Sequence, residues 1–353
     1  MNDPIAIGLM SGSSLDGIDI IAVRFLPHYH YDILQAETLP YPLDWRERLS
    51  SAFRSKPKDL GGLDQEYGHY LGECVRAFIG RHHLHPDFVA SHGHTVFHQP
   101  EQGFTLQIGD GQALADACGV LTVNDFRSED VAKGGQGAPL VPIGDRLLFG
   151  DYDICLNIGG IANLSYEEQG QRIAYDICIA NQALNHLAQR EGMPYDKDGA
   201  LAREGKVSPD LLQALNNHSY FRHEPPKSLG REFFETHQRS LLTGDSTANL
   251  LATFTEHIAI QIGQALHAQP QGKLLATGGG ALNAYLIERI QHHTHQQVIV
   301  PDRQTVDYKE ALIFALLGLL RLEGRTNVLC SVTGAPNDSC SGRIWRPNDP
   351  HQQ

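Results

Sequence analysis

The hydrophobic positions near the start of the chain form two continuous runs separated by a short polar segment. Residues 5–25 read IAIGLMSGSSLDGIDIIAVRF, with β-prone apolar residues on both sides of a turn rich in Gly, Ser and Asp. Apolar runs of this length, bounded by turn residues, predict two buried strands. The glycines of the turn leave main-chain N–H groups accessible to an anion at little steric cost. The pattern therefore predicts a β-hairpin whose tip binds phosphate.

Two later segments have a related design. Residues 153–166, DICLNIGGIANLSY, place a glycine turn between two apolar strands, with Asn157 and Asn163 on either side. Residues 273–290, KLLATGGGALNAYLIERI, predict a strand, a glycine turn and a helix. Two hairpin tips facing each other would clamp one polyphosphate, and the glycines of the third turn would let adenine lie against the backbone. The repeated hairpins suggest an internally duplicated α/β architecture.

The remaining pattern alternates between strands and helices. Strand-to-loop units at 88–95, 104–111 and 120–126 carry polar residues just past their apolar part, which is where open α/β sheets build sites. The glycine- and proline-rich run 127–142 predicts a domain junction or a ligand-contacting loop. A short strand is expected to end at Tyr175. Helices are expected at 63–82, 181–190, 208–242 (interrupted at Pro225-Pro226), 249–267 and 306–325.

Composition narrows the class of protein. The 353 residues exceed one usual hydrophobic core and predict two domains with a cleft. Lys and Arg number 28 against 41 Asp and Glu, and the net charge of -13 argues against nucleic acid and anionic membranes as partners. We find no apolar stretch long enough to span a membrane and no signal-peptide pattern at the N-terminus. The six cysteines lack CxxC spacing, which predicts reduced thiols and a cytoplasmic location.

Several side chains are candidates for chemistry. Asp176 follows the predicted strand that ends at Tyr175, and its position favours catalysis over an N-cap of the next helix. Glu310 is an acid inside an otherwise apolar helix, where a buried carboxylate needs a partner or a ligand. Asp125 and Arg127 follow a buried strand, and Arg127 could fork to a carboxylate or phosphate or pair with Asp125. His92, His94 and His98 lack neighbouring ligand residues, so hydrogen bonding to a polar small molecule is favoured over a metal.

The glycine turns match neither the Walker A sequence nor GxGxxG, so they contain neither of these common nucleotide-binding motifs. Instead, nearly the whole chain resembles the anhydro-N-acetylmuramic acid kinases of the actin, sugar-kinase and Hsp70 fold superfamily. The resemblance is carried, in family order, by GLMSGSSLDGID, SHGHTVFHQP, LQIGDGQALA, VNDFRSEDVAKGGQGAPLVP, LNIGGIANL, ATGGGALN and DYKEALIFALLG.

This resemblance implies two RNase H-like α/β domains around a deep cleft. We expect one lobe at 1–126 plus 308–353 and the other at 127–307. The resemblance further implies ATP with Mg²⁺ as phosphoryl donor and 1,6-anhydro-N-acetylmuramate as the small-molecule acceptor in cell-wall recycling. A homodimer is also expected, and no metal ligand is assigned.

Residue roles follow from the same resemblance. Asp176 is expected to be the catalytic base. The residues expected to bind ATP are Gly12, Ser13, Ser14, Leu15, Asp16, Gly17, Ile18, Asp19, Gly159, Gly160, Asn163, Gly278, Gly279 and Gly280. Those expected to line the sugar site are His92, Thr95, Asp125, Arg127 and Glu310.

The chain also departs from the family pattern. The family usually continues Asp-Thr-Gly-Pro-Gly-Asn where this sequence has Asp-Ile-Cys-Ile-Ala-Asn at 176–181, and His94 stands where Gln is expected. Two alternatives therefore stay open at this point. One is a kinase of the same fold for another anhydrosugar such as levoglucosan, and the other is a catalytically inactive nucleotide or sugar sensor.

Overall fold

A computed structural model describes residues 3–12 and 15–348. The chain divides into two compact units, Met1–Leu148 with Tyr308–Gln353 (unit 1) and Phe149–Asp307 (unit 2). The sequence had placed residues 127–148 in the second lobe, but they belong to unit 1. Local contacts explain the difference, because the Thr333 hydroxyl donates to Asp130 at 2.9 Å and the Gln136 N–H donates to the Thr333 carbonyl at 2.8 Å.

Within the described residues the strands are β1 (Ile5–Ser11), β2 (Gly17–Phe25), β3 (Tyr31–Pro40), β4 (Phe88–Ser91), β5 (His94–Gln99), β6 (Phe104–Ile108), β7 (Thr122–Asn124), β8 (Ile154–Ile158), β9 (Ile161–Glu168), β10 (Gln171–Ile179), β11 (Lys273–Thr277), β12 (Gln297–Ile299) and β13 (Arg343–Trp345). The α-helices are α1 (Leu43–Ala52), α2 (Gly61–His82), α3 (Gly111–Cys118), α4 (Ser128–Ala132), α5 (Val141–Leu148), α6 (Asn181–Ala188), α7 (Ala200–Glu204), α8 (Pro209–Asn216), α9 (Arg231–Phe233), α10 (Thr247–Leu266), α11 (Ala284–His293), α12 (Arg303–Leu322) and α13 (Cys330–Thr333).

The main sheets of the two units have the same topology. In unit 1 the strand order is β3-β2-β1-β4-β7-β13, and in unit 2 it is β10-β9-β8-β11-β12. In each, the first three strands along the chain form an antiparallel meander, and the next two join in parallel beside the first. This is the strand order of an RNase H-like domain. The predicted fold class, two RNase H-like α/β domains, is confirmed.

Burial on both faces of the central strands explains their continuous apolar runs. In unit 1, β1 packs against α12 so closely that a Cβ at Gly8 would lie 2.1 Å from the Ala311 carbonyl oxygen. The other side of that sheet packs against α2 through Tyr67 and Phe78, both fully buried. In unit 2, α10 supplies Phe254 and Ile258 to the core.

The strand-to-loop unit predicted at 88–95 has its strand in β4 and its loop at Gly93, whose left-handed backbone (φ +71°) interrupts the extended run before β5 begins at His94. One other predicted element is wrong in detail. The helices expected over 208–242 are short pieces, α8 and α9 with 3-10 turns and one π-helical turn at Phe234–Gln238. Their residues form the irregular layer that covers the edge of β10.

Candidate active site

The loop of the first hairpin joins β1 to β2. Ser13 and Ser14, both predicted to bind phosphate, lie outside the described residues. The Leu15 backbone is left-handed (φ +60°), a conformation uncommon for a residue other than glycine. Asp16 is exposed.

The base of this hairpin is structural. A Cβ at Gly17 would lie 2.4 Å from the Leu39 carbonyl oxygen, so this glycine is required by the approach of β3. Ile18 is fully buried in the core and pairs with Ser11 of β1 and Leu39 of β3. Asp19 is half-buried and accepts a hydrogen bond from the Thr38 hydroxyl at 2.6 Å. Of these three predicted ATP-binding residues, Asp19 alone presents a polar side chain.

The second hairpin turns at Gly159 and Gly160, and the start of α6 holds it in place. The carbonyls of Gly159 and Gly160 accept hydrogen bonds from the N–H groups of Asn181 (3.0 Å) and Ala180 (2.8 Å). The Asn181 side chain donates to the Ile158 carbonyl at 3.1 Å. A Cβ on either glycine would meet no atom closer than 3.6 Å. The turn is anchored through its carbonyls, while the space beside both glycines remains open.

The third glycine turn contains two different kinds of glycine. Gly278 has φ +77°, and a Cβ there would lie 2.6 Å from Oδ1 of Asn157. A Cβ at Gly280 would lie 2.3 Å from the Ile158 side chain. Gly279 is exposed, and its nearest such neighbour lies at 3.7 Å. Gly278 and Gly280 therefore pack this turn onto the second hairpin, and Gly279 is the glycine that a flat ring could approach.

A row of polar side chains crosses the sheet of unit 2 at one level. Thr277 of β11 pairs with Asn157 of β8, Asn157 with Asn163 of β9, and Asn163 with Asp176 of β10. Residues opposite each other on neighbouring strands share a face of the sheet. Asn163, predicted to bind ATP at the hairpin, thus lies one strand away from the predicted catalytic base.

Asp176 lies within a strand, which corrects the expectation that the strand ends at Tyr175. β10 continues to Ile179, and its register shifts between Asp176 and Cys178, leaving Ile177 as a bulge. The side chains of Ile177, Cys178 and Ile179 are buried in the core of unit 2. Apolar side chains at 177–179 therefore extend the strand by core packing, and the bulge changes which way the chain presents its side chains next to Asp176.

The environment of Asp176 comes from a segment more than forty residues further along the chain. The Leu229 N–H donates to Oδ2 of Asp176 at 2.9 Å. The Tyr220 hydroxyl donates to the Asp176 carbonyl at 2.7 Å, and the Asp176 N–H donates to the Lys227 carbonyl at 3.2 Å. Burial raises the pKa of Asp176, and the hydrogen bond from Leu229 opposes that shift. One main-chain N–H therefore holds one oxygen of the carboxylate, while Tyr220 and Lys227 hold the main chain of Asp176.

Sequence reasoning missed this segment. The run EPPKSLG at 224–230 appeared only as a break between helices. Its irregular composition beside two prolines was the available clue, because conserved function often resides in loops held by a rigid scaffold. Here the loop runs along the open edge of β10 and supplies hydrogen bonds that a neighbouring strand would otherwise make.

Three of the predicted sugar-site residues lie together in unit 1. Arg127 donates to Nε2 of His92 from Nη2 (2.9 Å) and Nε (3.2 Å), and its Nη1 donates to the Gly137 carbonyl at 2.7 Å. Burial lowers the pKa of Arg127 to about 10, which leaves it charged at neutral pH, and the charge of Glu310 opposes the shift. Burial, helped by the charge of Arg127, lowers the pKa of His92 well below its ordinary value. The cluster combines a neutral imidazole with a partly desolvated cation.

Glu310 completes this cluster from α12. Burial raises the pKa of Glu310, the positive charges of Lys309 and Arg127 lower it, and the negative charges of Asp19 and Asp145 raise it. The Lys309 ammonium itself lies 2.7 Å from Asp145 in a buried ion pair. Glu310 is thus a half-buried carboxylate among charged groups of both signs, as its position inside an apolar helix indicated.

The other two predicted sugar-site residues have different surroundings. Thr95 lies on β5 opposite Gln107 of β6, and its hydroxyl accepts a hydrogen bond from the Gln107 amide at 3.4 Å. Asp125 has a left-handed backbone (φ +55°) and forms an ion pair with Arg343 at 3.1 Å. The Asp125–Arg127 pair considered from the sequence is therefore not what holds Asp125.

A site for ATP must also accommodate Mg²⁺. Among the residues that the structure describes, no group of three or more His, Cys, Asp or Glu side chains could hold a metal ion. Mg²⁺ in nucleotide sites is usually held by one or two carboxylates together with substrate phosphates. In unit 1, the half-buried carboxylate of Asp19 is a group of the kind that contributes one ligand to such a nucleotide-borne metal.

No helix in the described part of the chain has the length and apolar character needed to cross a membrane.

Two solved structures resemble this chain at low sequence identity. It resembles component A of (R)-2-hydroxyglutaryl-CoA dehydratase from Acidaminococcus fermentans at 14% identity and a TM-score of 0.48, covering 89% of this chain and 96% of that one. It resembles a ROK family glucokinase from Streptomyces griseus, in complex with glucose and AMPPNP, at 12% identity and a TM-score of 0.42, covering 89% and 98%.

Sequence comparison covers almost the full chain. A curated anhydro-N-acetylmuramic acid kinase from Vibrio cholerae is 38% identical over 97% of this chain and 98% of its own length. Another from Gloeobacter violaceus is 37% identical over 95% and 97%, respectively. The family model for anhydro-N-acetylmuramic acid kinase matches residues 4–347. With this match and these relatives, the chain belongs to the anhydro-N-acetylmuramic acid kinase family, as its motifs predicted.

Proposed function

We propose that the protein opens the 1,6-anhydro ring of 1,6-anhydro-N-acetylmuramate with water and phosphorylates O6 from ATP, with Asp176 as the general base. The observation that carries this role is the asymmetric environment of the Asp176 carboxylate. Oδ2 is held by the Leu229 N–H, whereas Oδ1 accepts no hydrogen bond from the described residues. A positioned carboxylate with one oxygen available and a raised pKa is suited to receive a proton.

The proposed reaction needs only one carboxylate. Asp176 takes a proton from the water whose oxygen bonds to C1, the C1–O6 bond breaks, and O6 bonds to the γ-phosphorus as ADP leaves. An inverting glycosidase needs a second acid to protonate the departing oxygen. Here the phosphoryl group takes the place of that proton, so no second acid is required. The products are N-acetylmuramate 6-phosphate and ADP, which fits a role in cell-wall recycling.

We propose that the glycine turns bind the nucleotide. The open space beside Gly159 and Gly160 suits the approach of phosphate oxygens to main-chain N–H groups. The exposed Gly279 suits the adenine ring. Asp19 would contribute a carboxylate to Mg²⁺, which supplies charge neutralisation to the triphosphate when bound.

The sugar would be bound by the cluster of unit 1. His92, Arg127 and Glu310 offer a donor, a cation and a carboxylate within one connected group, and Thr95 adds a hydroxyl. Desolvated polar groups of this kind orient a ligand through charge-assisted hydrogen bonds. The Asp125 carboxylate, held by Arg343, would serve the site by positioning the start of α4, where the Ser128 N–H lies 3.4 Å from it.

The cellular setting is part of the proposal. All six cysteines are free thiols, which supports a reducing compartment and a cytoplasmic location. A homodimer is part of the same proposal, and sedimentation at several protein concentrations tests it.

Replacing Asp176 by Asn tests the assignment of the base. We expect kcat to fall by about 10²–10⁴-fold, as for loss of a general base, with ATP affinity nearly unchanged. Asp32→Asn on the exposed part of β3 is the matched control and should keep wild-type activity. A second measurement uses ¹⁸O-labelled water. Label at C1 of the product is expected, and its absence would contradict the coupled opening of the ring.

A further inference from the structure

The side chain of Gln107 carries a polar atom that the described chain leaves unsatisfied. Its Nε2 donates to the hydroxyl oxygens of Thr105 at 2.9 Å and of Thr95 at 3.4 Å. Its Oε1 is buried and has no hydrogen-bond partner among the described residues. A buried acceptor left unpaired destabilises the folded protein. Such an atom in a native protein therefore indicates a missing partner.

The contacts of Thr105 assign the orientation of the Gln107 amide. The Thr105 hydroxyl donates to the Phe97 carbonyl at 3.3 Å, and its oxygen also lies 3.2 Å from Nδ1 of His98. With His98 protonated on Nδ1, all three contacts are satisfied when the Thr105 oxygen accepts from His98 and from the NH₂ group of Gln107. In this assignment Oε1 of Gln107 faces away from the threonines.

His92 has an unsatisfied atom of the opposite character. Its Nε2 accepts from Arg127, and a guanidinium has no lone pair to accept a hydrogen bond in return. The proton of the neutral ring is therefore on Nδ1. His92 is only 7% exposed, and no acceptor of the described residues meets hydrogen-bond geometry at Nδ1, although main-chain groups of Gly93 and Ser11 lie close to the ring. His92 thus presents a buried donor.

Gly93 connects the two residues. It follows His92 in the chain, and a Cβ built on it would lie 3.4 Å from the Cβ of Gln107. Gln107 also faces Thr95 across β5 and β6, where a register shift between Thr95 and Phe97 marks a bulge. The residue that carries the unpaired acceptor therefore packs beside the glycine that follows His92, and it pairs with a residue of the proposed sugar site.

We propose that Gln107 and His92 recognise the acetamido group of the sugar, and that Gln107 is a specificity-determining residue of this enzyme. An amide offers one donor and one acceptor in a single planar substituent. The substrate N–H donates to Oε1 of Gln107, and the substrate carbonyl accepts from Nδ1–H of His92. This inference rests on the proposed function and extends it by stating that the acetamido substituent is the group recognised.

A site of this kind rejects a substrate that lacks the group, because its own buried atoms then stay unpaired. The test compares kcat/KM for 1,6-anhydro-N-acetylmuramate with that for the analogue carrying a hydroxyl in place of the acetamido group. We expect the wild-type enzyme to prefer the acetamido sugar by at least about 100-fold. In Gln107→Met, and separately in Gln107→Leu, this preference should shrink at least about tenfold.

The ratio within one enzyme does not depend on the fraction of folded protein. If Gln107 only supports the fold, kcat/KM falls by the same factor for both sugars. The ratio of the two kcat/KM values then stays at its wild-type value, which overturns the proposal. Gln264→Met, at an exposed position of α10, is the matched control and should leave the ratio unchanged. If Gln107→Met instead abolishes discrimination against a 4-deoxy analogue, the acceptor serves a sugar hydroxyl and the proposal is overturned.

Calorimetric titration of the same two sugars separates this inference from the proposed function. It measures the preference as a ratio of Kd values, without turnover by Asp176. A wild-type protein that binds the acetamido sugar but does not turn it over contradicts the proposed function and leaves the predicted Kd ratio in force. A protein that binds neither sugar overturns both.

Discussion

The guanidinium of Arg127 donates two hydrogen bonds to one ring nitrogen of His92, at 2.9 and 3.2 Å. This contact places the proton of the neutral His92 ring on Nδ1. It also holds the Arg127 guanidinium at a buried position, where desolvation disfavours its charged form. Two N–H groups of Arg127 donate to His92, and a third donates to the Gly137 carbonyl. The arginine is therefore a positioning element for His92 as well as a charge for the sugar site.

Replacing Arg127 by Lys keeps the charge and removes the planar fork. We expect kcat/KM for the sugar to fall by about 10²-fold, since an ammonium cannot reproduce the paired contacts. KM for ATP should change little, because the contacts of Arg127 lie among the sugar-site residues. Steady-state kinetics with each substrate varied in turn checks this, and equal losses for both substrates would contradict it. Arg343→Lys, which alters the exposed partner of Asp125, is the comparison variant and should have a smaller effect.

The pH dependence of the reaction should report Asp176. A general base must be deprotonated, so kcat/KM is expected to fall as pH decreases through the pKa of Asp176. Because burial raises that pKa, the acidic limb should lie above the 3.8 of an ordinary aspartate. The residual activity of Asp176→Asn should lack this limb. A wild-type profile that stays flat down to pH 4, in a protein shown by circular dichroism to remain folded, would argue against this role.

The buried His257 predicts a pH dependence of stability in unit 2. Its Nδ1 lies 2.6 Å from Oδ1 of Asn216, Gln238 contacts its Nε2 at 3.4 Å, and burial lowers its pKa to about 3 from 6.5. Since the unfolded chain binds this proton more readily, stability is fully present above pH 6.5 and is lost as pH falls towards 3. The slope from this one group is about 1.4 kcal/mol per pH unit.

Urea unfolding at several pH values, monitored by circular dichroism, measures that slope. His257→Gln should be less stable at pH 7 but lose less stability than wild type between pH 6.5 and 4.5. The buried His92 and His94 of unit 1 contribute in the same direction to both proteins, so the difference between the two slopes isolates His257. Identical slopes would contradict the assignment.

The two kinds of glycine in the third turn should respond differently to substitution. Gly278→Ala introduces a Cβ at φ +77° and 2.6 Å from Oδ1 of Asn157, so we expect destabilisation of about 1–3 kcal/mol. Gly279→Ala meets only open space, and its stability should change by less than about 1 kcal/mol. If adenine lies against Gly279, the same change raises KM for ATP severalfold. Thermal unfolding and ATP kinetics on the two variants test both statements.

Local sequence patterns determined much of this protein. The apolar runs on either side of a glycine turn predicted both hairpins, because a strand buried on both faces needs a continuous apolar sequence. The same hairpin design, met twice, predicted the duplicated fold, and the motifs in family order predicted the family. Glu310 and Arg127 were recognisable from sequence because a charged residue beside or within an apolar element needs a partner or a ligand.

Long-range contacts determined the rest. The strand that carries Asp176 extends past Tyr175 because Ile177, Cys178 and Ile179 enter the core, and the residue that holds its carboxylate, Leu229, is 53 positions away. The amide of Gln107 contacts Thr105, whose hydroxyl also contacts Phe97 and His98. Sequence patterns report burial and local geometry because these depend on neighbours in the chain. Tertiary structure alone decides hydrogen-bond partners, unsatisfied atoms and pKa shifts, because these depend on which distant groups folding brings into contact.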